Sequence, residues 1–334
     1  MRVLRFLGSL KLTFALLVVV TGGIVAGYVG GLDARPLLTG ALALLVLNLL
    51  GAITTHPRFR RQSALLAFHL CLLAAMLLVA AGDLLRLEGR LELANGQAFA
   101  PELVQITHRG VWHPEAALEA VAFRQGRFTV DYAPGLVRRT MRSWVDLGPD
   151  GVQPSRAVVG STQPLVQEGF RFYATSNKGL AALVTWVADR GEAETGTVHF
   201  PSWPLNDWNQ VNAWTSPDGD ALVLELTPDL HVSAGEAFTF DSDRVPAVAE
   251  LRVRHAQVTA VMLPGQSLRL PGGRLLFHGL TTWMGYRVTY DPTLPWLLAT
   301  GIVGALALGG HFLGSLAPVP RSLRVANRDP ALRA

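Results

Sequence analysis

The sequence lacks the residues that most often identify a redox or disulfide-bonded protein. Cys71 is the single cysteine among 334 residues, so the chain has no internal disulfide, no C-x-x-C pair for thiol exchange and no C-x-x-C-H motif. Charge is also scarce, because Asp, Glu, Lys and Arg make up 16% of the chain, against roughly 25% in soluble domains. These absences exclude a thiol oxidoreductase and a c-type cytochrome.

Common catalytic motifs are missing as well. The sequence contains neither G-x-S-x-G nor H-E-x-x-H. Six histidines between residues 83 and 293 are scattered at spacings that suit no common metal site, and we interpret them as surface or core residues. They are His108, His113, His199, His231, His255 and His278. The sequence therefore names no catalytic residue, and it leaves open whether the chain is part of an enzyme.

Apolar residues make up half of the chain and are concentrated in four long blocks. Each block is about the ~20 residues that cross a hydrocarbon core. Buried core helices of a soluble protein are the alternative, but such helices are rarely apolar on all faces over that length. We therefore predict four transmembrane helices. They cover residues 12–30, 36–54, 64–82 and 294–316.

Basic residues predict the orientation of these helices, because cytoplasmic loops are rich in Lys and Arg. Ten of them fall before the first block, between the second and third, and after the fourth. They are Arg2, Arg5, Lys11, Arg58, Arg60, Arg61, Arg321, Arg324, Arg328 and Arg333. We predict that residues 1–82 form three helices with a cytoplasmic N-terminus, that 83–293 lie outside, and that 317–334 form a cytoplasmic tail. The first helix is expected to stay uncleaved, and the basic pI is a topology signal rather than a sign of nucleic-acid binding.

The segment from 83 to 293 is predicted to be a large all-β, sandwich-like domain. Alternating or β-branched runs separated by Pro-Gly and Asp-Gly turns indicate strands. The clearest are Arg127–Tyr132, Ala221–Leu226, Leu251–Val258 and Tyr286–Tyr290. Ala181–Asp189 is a candidate for a short helix. Trp203 and Trp208 either pack a loop onto a sheet or line a ligand groove.

Three polar side chains interrupt the apolar blocks and are the candidate site. His69, His311 and Asn48 each lie a similar distance from the cytoplasmic end of their helix, so they are expected to share one layer in the inner leaflet. Ionisable residues inside membrane spans are often functional, and imidazole is a good axial ligand for heme iron. The alternative for His69 is a structural histidine hydrogen-bonded within the helix bundle.

Five segments of the chain carry a resemblance to a known family. They are 6–27, 63–83 (SALLAFHLCLLAAMLLVAAGD), 128–147, 161–179 (STQPLVQEGFRFYATSNKG) and 285–310. In sequence and in order these segments resemble the ResB (CcsB) family, a component of System II cytochrome c biogenesis, and the resemblance covers most of the chain. The family's Asn-Pro-Leu is Gln-Pro-Leu at 163–165, and its Asp-Pro-Gly is Asp-Pro-Thr at 291–293.

The resemblance implies a bacterial plasma (inner) membrane protein with its large domain on the periplasmic or extracellular side. It implies work with a ResC (CcsA)-like polytopic partner in a cytochrome c synthetase complex. That complex carries heme b across the membrane and presents it for attachment to apocytochrome c. His69 matches the histidine that contributes to the family's intramembrane heme site. The competing interpretations are a membrane-anchored β-domain scaffold that binds no cofactor, and a transporter or sensor acting alone.

Overall fold

The computed structural model describes most of the chain in seven stretches. They are residues 6–31, 34–148, 155–230, 232–233, 235–246, 248–256 and 258–316. Several predictions fall outside the described residues: the basic residues Arg2 and Arg5, residues 149–151 of the Gly-Pro-Asp-Gly turn that the sequence predicts at 148–151, His231, and the tail 317–334 with its four arginines.

Four long helices are present, and each is long and apolar enough to cross a membrane. A fifth, short helix lies between the second and third long ones. The helices are α1 (Leu10–Gly30), α2 (Arg35–Thr55), α3 (Pro57–Arg61), α4 (Ser63–Leu85) and α5 (Leu294–Leu316). The prediction of four long apolar helices is confirmed.

Local chemistry sets both ends of α1. The Ser9 side-chain oxygen accepts the N–H of Leu12 at 3.3 Å, which satisfies one of the backbone donors left free at a helix start. At the other end, Gly31 adopts the left-handed conformation with φ 61°, which a residue without a Cβ does at little cost. The sequence therefore starts and stops this helix with ordinary capping residues.

The chain divides into two units. The described residues up to Leu85, together with those from Pro292, form the helical unit, and Arg86–Asp291 form the β unit. The strands of the β unit are β1 (Leu87–Ala94), β2 (Gln105–Arg109), β3 (Phe123–Ala133), β4 (Val137–Leu147), β5 (Ser155–Val159), β6 (Leu165–Gln167), β7 (Phe170–Ala188), β8 (Ala193–His199), β9 (Val211–Thr215), β10 (Ala221–Pro228), β11 (Phe238–Asp241), β12 (Ala249–His255), β13 (Val258–Met262), β14 (Ser267–Leu270) and β15 (Gly273–Tyr290).

These strands form three sheets rather than the two expected of a simple sandwich. The largest has the order β2-β1-β15-β7-β6, with β14 added to β15 and β8 added to β7. The other two have the orders β13-β12-β10-β9 and β11-β3-β4-β5. All pairs are antiparallel, and the long strands β7 and β15 run together from Gly273 opposite Ala188 to Tyr290 opposite Phe170. The predicted large β-rich domain is confirmed.

One apolar core joins the three sheets of the β unit. Leu91 and Phe172 reach it from the largest sheet, Phe128 from the sheet of β3, and Leu224 from the sheet of β10. Each of these side chains is essentially inaccessible to water. Burial of side chains of this size is the main favourable contribution to folding, at about 1.5–3 kcal/mol each.

Two local predictions for the β unit are wrong. Ala181–Asp189 is not a helix, because Ala181–Ala188 is the second half of β7 and pairs with β15 on one side and β8 on the other. Leu251–Val258 is not one strand, since β12 ends at His255. The next residue, Ala256, has φ 48°, and the chain then returns as β13 with Val258 opposite His255.

Candidate functional site

His69 lies on α4, six residues after Ser63, which is roughly 9 Å along the helix axis. Its Nδ1 is 2.8 Å from the backbone oxygen of Leu65, one turn earlier. A carbonyl oxygen can only accept a hydrogen bond, so Nδ1 carries the ring proton. The lone pair of the neutral imidazole is therefore on Nε2.

Two aromatic rings flank the imidazole of His69. Phe59, buried on the short helix α3, meets it edge-on with the centroids 4.6 Å apart. Phe68 does the same at 5.3 Å. Together with the hydrogen bond to Leu65, these contacts fix the orientation of the ring while its surface stays partly exposed. The site thus offers one oriented nitrogen donor in apolar surroundings.

This donor fits the axial position of a heme better than a site made of side chains alone. Within the described residues, no group of three or more His, Cys, Asp or Glu side chains could hold a metal ion. A heme brings four nitrogen ligands of its own and needs only an axial donor from the protein. Ligating histidines commonly donate their other ring N–H to a backbone carbonyl, as His69 does to Leu65.

Asn48 has a structural role instead. Its side chain is 3% exposed, and its Oδ1 accepts the hydroxyl proton of Thr13 at 2.7 Å. Its Nδ2 donates to the backbone oxygens of Leu7 and Ser9. Both amide protons and the amide oxygen of Asn48 on α2 therefore form hydrogen bonds to residues at the start of α1. A layer shared by Asn48 and His69 stays a prediction.

His311 is offset from His69 along the helix axis. A Cβ added at Gly304 of α5 would lie 3.2 Å from the Cβ of Cys71 on α4. Leu87 and Tyr290, which follow α4 and precede α5, are opposite each other in one ladder, so the two helices run antiparallel. With residue 71 beside residue 304, His311 is level with Ala64, about five residues or roughly 7.5 Å from His69. The structure therefore does not place the two histidines in one layer.

Two histidines of the β unit, His199 and His113, make ordinary structural contacts. His199 pairs its Nδ1 with Glu92 at 3.0 Å and stacks on Trp283. His113 is buried against Phe170 and Tyr290. These contacts agree with the interpretation of such histidines as surface or core residues.

The two tryptophans at 203 and 208 do not form a common groove. Trp208 is 79% exposed, whereas Trp203 is 2% exposed and packs on Phe238 and Phe240. Trp203 also lines a cavity of about 250 Å³ beside β11. The interpretation of Trp203 as a residue that packs a loop onto a sheet fits these contacts, and the cavity is considered separately below.

Sequence reasoning missed the buried polar residues of the β unit. Gln125, Ser143 and Tyr286 form a closed hydrogen-bonded triangle with sides of 2.5, 2.7 and 2.9 Å. Lys178 is buried with its Nζ 5.3 Å from the ring centroid of Tyr132. Burial, and then the nearby charge of Arg138, lower the pKa of Lys178 to about 8. The sequence signal for three of them was membership of a family-like segment: Ser143 lies in 128–147, Lys178 in 161–179 and Tyr286 in 285–310.

Comparison with known protein families covers three of the five family-like segments, 63–83, 128–147 and 161–179. The model of the ResB-like family matches residues 58–242, more than half of the chain. A solved structure named Cytochrome c Heme Lyase CcmF aligns with 90% of this chain and 34% of its own chain, at 13% identity and a TM-score of 0.26. That score is too low to support an argument, and this chain spans about a third of the length of that protein. No curated protein sequence matches.

The family match includes α3 from Arg58 onward with Phe59, the whole of α4 with His69, and the β unit as far as Ser242. It therefore contains both the candidate ligand and most of the strands that form the core. The predicted family is confirmed: this chain belongs to the ResB-like family.

Proposed function

We propose that this chain is the ResB-like subunit of a cytochrome c synthetase complex. In this role it binds heme b inside the membrane, helps to carry it across, and presents it for covalent attachment to apocytochrome c. Membership of the ResB-like family indicates a role in cytochrome c biogenesis. The observation that carries the finer proposal is the 2.8 Å contact between Nδ1 of His69 and the Leu65 oxygen, which assigns the ring proton to Nδ1 and leaves Nε2 to bind iron in an apolar helix.

Heme is the cargo in this proposal, and the residues of this chain hold and orient it. Nε2 of His69 donates its lone pair to the iron, while the Leu65 carbonyl keeps the proton on Nδ1. Phe59 and Phe68 prevent rotation of the imidazole and exclude water from its edges. His69 lies near the cytoplasmic end of α4 in the proposed orientation, where a heme made in the cytoplasm arrives first.

The location proposed is the bacterial plasma membrane, with both termini in the cytoplasm and the β unit on the periplasmic or extracellular side. Four helices of suitable length and composition support a membrane protein. Arg58 and Arg61 are exposed between α2 and α4, where the positive-inside rule expects basic residues on the cytoplasmic side.

A polytopic, ResC-like membrane protein is the proposed partner. The helical unit exposes large apolar side chains all along α5, including Leu298 at 67% and Leu306 at 71%. Such side chains are covered by lipid or by other helices in a membrane. Because His69 supplies one axial ligand, the second ligand of a six-coordinate heme has to come from elsewhere in the complex.

The decisive experiment compares His69→Ala with His311→Ala in the complex purified with its partner. We expect His69→Ala to lose bound heme, or to shift its absorption spectrum, at unchanged protein abundance. His311→Ala is the matched control, since it removes an imidazole from the same helical unit at a different depth. In His69→Gly, added imidazole should restore part of the heme. Normal heme content and normal c-type cytochromes in His69→Ala would contradict the ligand assignment.

The scaffold that binds no cofactor is the second candidate. It is favoured by one observation, because the hydrogen bond to Leu65 already satisfies Nδ1 of His69 within its own helix. A purely structural His69 predicts a lower abundance of His69→Ala and no rescue by imidazole. Deletion of the gene separates the two functions further. Heme delivery requires that the deletion strain lose its holocytochromes c and keep its b-type cytochromes, whereas a scaffold does not require this loss.

A further inference from the structure

Strand β11 has one edge that no strand of the described residues covers. It is the first strand of the sheet β11-β3-β4-β5, and its other edge pairs with β3. Ser242 donates its N–H to the Phe128 oxygen, and the same register places Phe240 opposite Val130. Alternate residues of an antiparallel strand exchange hydrogen bonds with the neighbour. Thr239 therefore directs its N–H and C=O away from β3, toward the open edge.

A groove follows this open edge. The cavity of about 250 Å³ is lined by all four residues of β11, and on its far wall by Leu230, Val232 and Ser233. Its floor is aromatic, because Trp203 packs tilted against Phe240 with the ring centroids 4.8 Å apart. The groove thus combines unused backbone hydrogen-bonding groups with an apolar pocket.

We propose that the groove along β11, the β11 groove, binds an extended polypeptide segment that adds to β11 as a strand and inserts an aliphatic or aromatic side chain beside Trp203. Strand addition of this kind takes its affinity from main-chain hydrogen bonds and its selectivity from side-chain pockets. The polypeptide handled in the proposed function is unfolded apocytochrome c, so the inference rests on that function and deepens it.

The size and charge of the β11 groove favour a polypeptide over a cofactor. Small-molecule sites usually have volumes of about 300–1,000 Å³, so 250 Å³ suits a single large side chain better than a porphyrin. The carboxylate of Asp241 on its rim is already paired with Arg127 at 2.9 Å and lies 3.7 Å from Arg244. Glu236 and Arg244 also line the groove and carry opposite charges, so its charged groups largely balance, as suits a neutral backbone.

The test removes the outward N–H of Thr239 without disturbing the ladder to β3. Thr239→Pro loses that donor, and its ring blocks an added strand, whereas proline is tolerated at the free edge of a sheet. Thr239→Ala is the matched variant, because it loses the hydroxyl bond to Asp131 and keeps the N–H. Ala213→Pro is the second control. By the same register rule its N–H also points to the outer edge of a strand, here β9.

Binding is measured with the full-length protein in detergent, by the fluorescence anisotropy of a labelled, heme-free apocytochrome c. We expect the wild type, Thr239→Ala and Ala213→Pro to share one Kd, and Thr239→Pro to bind at least about tenfold more weakly. Ser233→Trp, which fills the groove from its far wall, should weaken binding similarly without any change in β11. Melting temperatures equal to the wild type show that the variants are folded.

Three outcomes would overturn the proposal: no binding by the wild type, wild-type affinity in both Thr239→Pro and Ser233→Trp, or an equal loss in Ala213→Pro. The heme content of the complex is measured in parallel, and it should be normal in Thr239→Pro. Loss of heme in His69→Ala with unaltered polypeptide binding in Thr239→Pro would reject the β11 groove and leave heme delivery standing. The reverse pattern would reject the heme ligand alone.

Discussion

The imidazole of His69 meets the ring of Phe59 edge-on, with 4.6 Å between the ring centroids and 65° between the planes. Phe59 belongs to the short helix α3 and is buried there. The connection between α2 and α4 is therefore part of the candidate site, since it supplies one wall of the ligand's surroundings.

Phe59→Ala should loosen the imidazole without removing the ligand. We expect the complex to keep its heme but to bind it several-fold more weakly and with broader absorption bands, because a rotating ring holds Nε2 on the iron for less of the time. Phe59→Leu, which retains apolar bulk, is the control and should stay close to the wild type. Heme titration of the purified complex measures both, and equal affinity in the wild type and Phe59→Ala would remove Phe59 from the site.

The helical unit was largely predictable from the sequence, because an apolar block of the right length leaves the chain few choices in a membrane. The roles of the polar residues within these helices were not predictable from the sequence. Asn48 and His311 occupy similar positions relative to their helix ends, yet Asn48 is used entirely by Thr13, Leu7 and Ser9. Depth counted from a helix end ignores the register between helices, which here depends on the Gly304–Cys71 contact.

The β unit shows where local patterns fail. Residues 181–188 begin with Ala-Ala-Leu, which favours a helix, but β15 and β8 pair with them on both sides and this pairing decides the structure. The turn at Ala256 has no Gly, Pro or Asn before it, so the alternating run Leu251–Val258 gave no signal of the break. Lys178 and Tyr286 are buried by strands distant in sequence, which no local pattern reveals.

Gly304 should be the more sensitive of two glycines on α5. An added Cβ at Gly304 would lie 3.2 Å from the Cβ of Cys71, whereas nothing lies within 4 Å of one added at Gly301. Gly304→Val should therefore push α5 away from α4 and cost about 1–3 kcal/mol. Gly301→Val carries the same change in helix propensity and should keep the wild-type melting temperature in detergent. Equal losses in the two variants would show that the contact is unimportant.

Tyr286→Phe should destabilise the β unit. The Tyr286 hydroxyl donates to Gln125 Oε1 at 2.5 Å, so Ser143 has to donate to Tyr286, and Gln125 closes the cycle by donating to Ser143. Removal of the hydroxyl leaves buried groups without a partner, at a cost of about 1–3 kcal/mol. Tyr290→Phe is the control, because its half-buried hydroxyl makes no hydrogen bond among the described residues. Thermal unfolding followed by tryptophan fluorescence distinguishes the two.

The proposed orientation predicts which surface cysteines react from outside the cell. In a Cys71→Ala background, single cysteines at Ser155 and Ser267 of the β unit should react with a membrane-impermeant maleimide in spheroplasts. A cysteine at Ser63, the start of α4, should react only after lysis. All three positions are exposed, so detergent-treated samples provide the common control. Labelling of Ser63 alone in spheroplasts would reverse the topology.

Lys178 should make the stability of the β unit depend on pH in the alkaline range. The residue is 1% exposed, its Nζ donates to the Ser176 oxygen at 3.2 Å, and no ion pair to a carboxylate of the described chain compensates its charge. Burial lowers its pKa to about 8, against roughly 10.4 in an unfolded chain. Between these values the unfolded chain binds more protons, so stability rises with pH.

The measurement compares unfolding at pH 7.5 and pH 9.5 for the wild type and Lys178→Met. The wild type should gain roughly 2 kcal/mol over this interval, and Lys178→Met should gain little, because a thioether does not titrate. Higher pH is avoided, since burial raises the pKa of Tyr132 to about 12 and that of Tyr286 further. Unfolded tyrosines lose their protons near pH 10, so these two groups lower stability above that pH.

Arg142→Met, which removes an exposed cation that does not titrate, should keep the wild-type gain. A wild-type stability that is flat or falls between pH 7.5 and 9.5 would show that Lys178 is not held in an unfavourable, charged state.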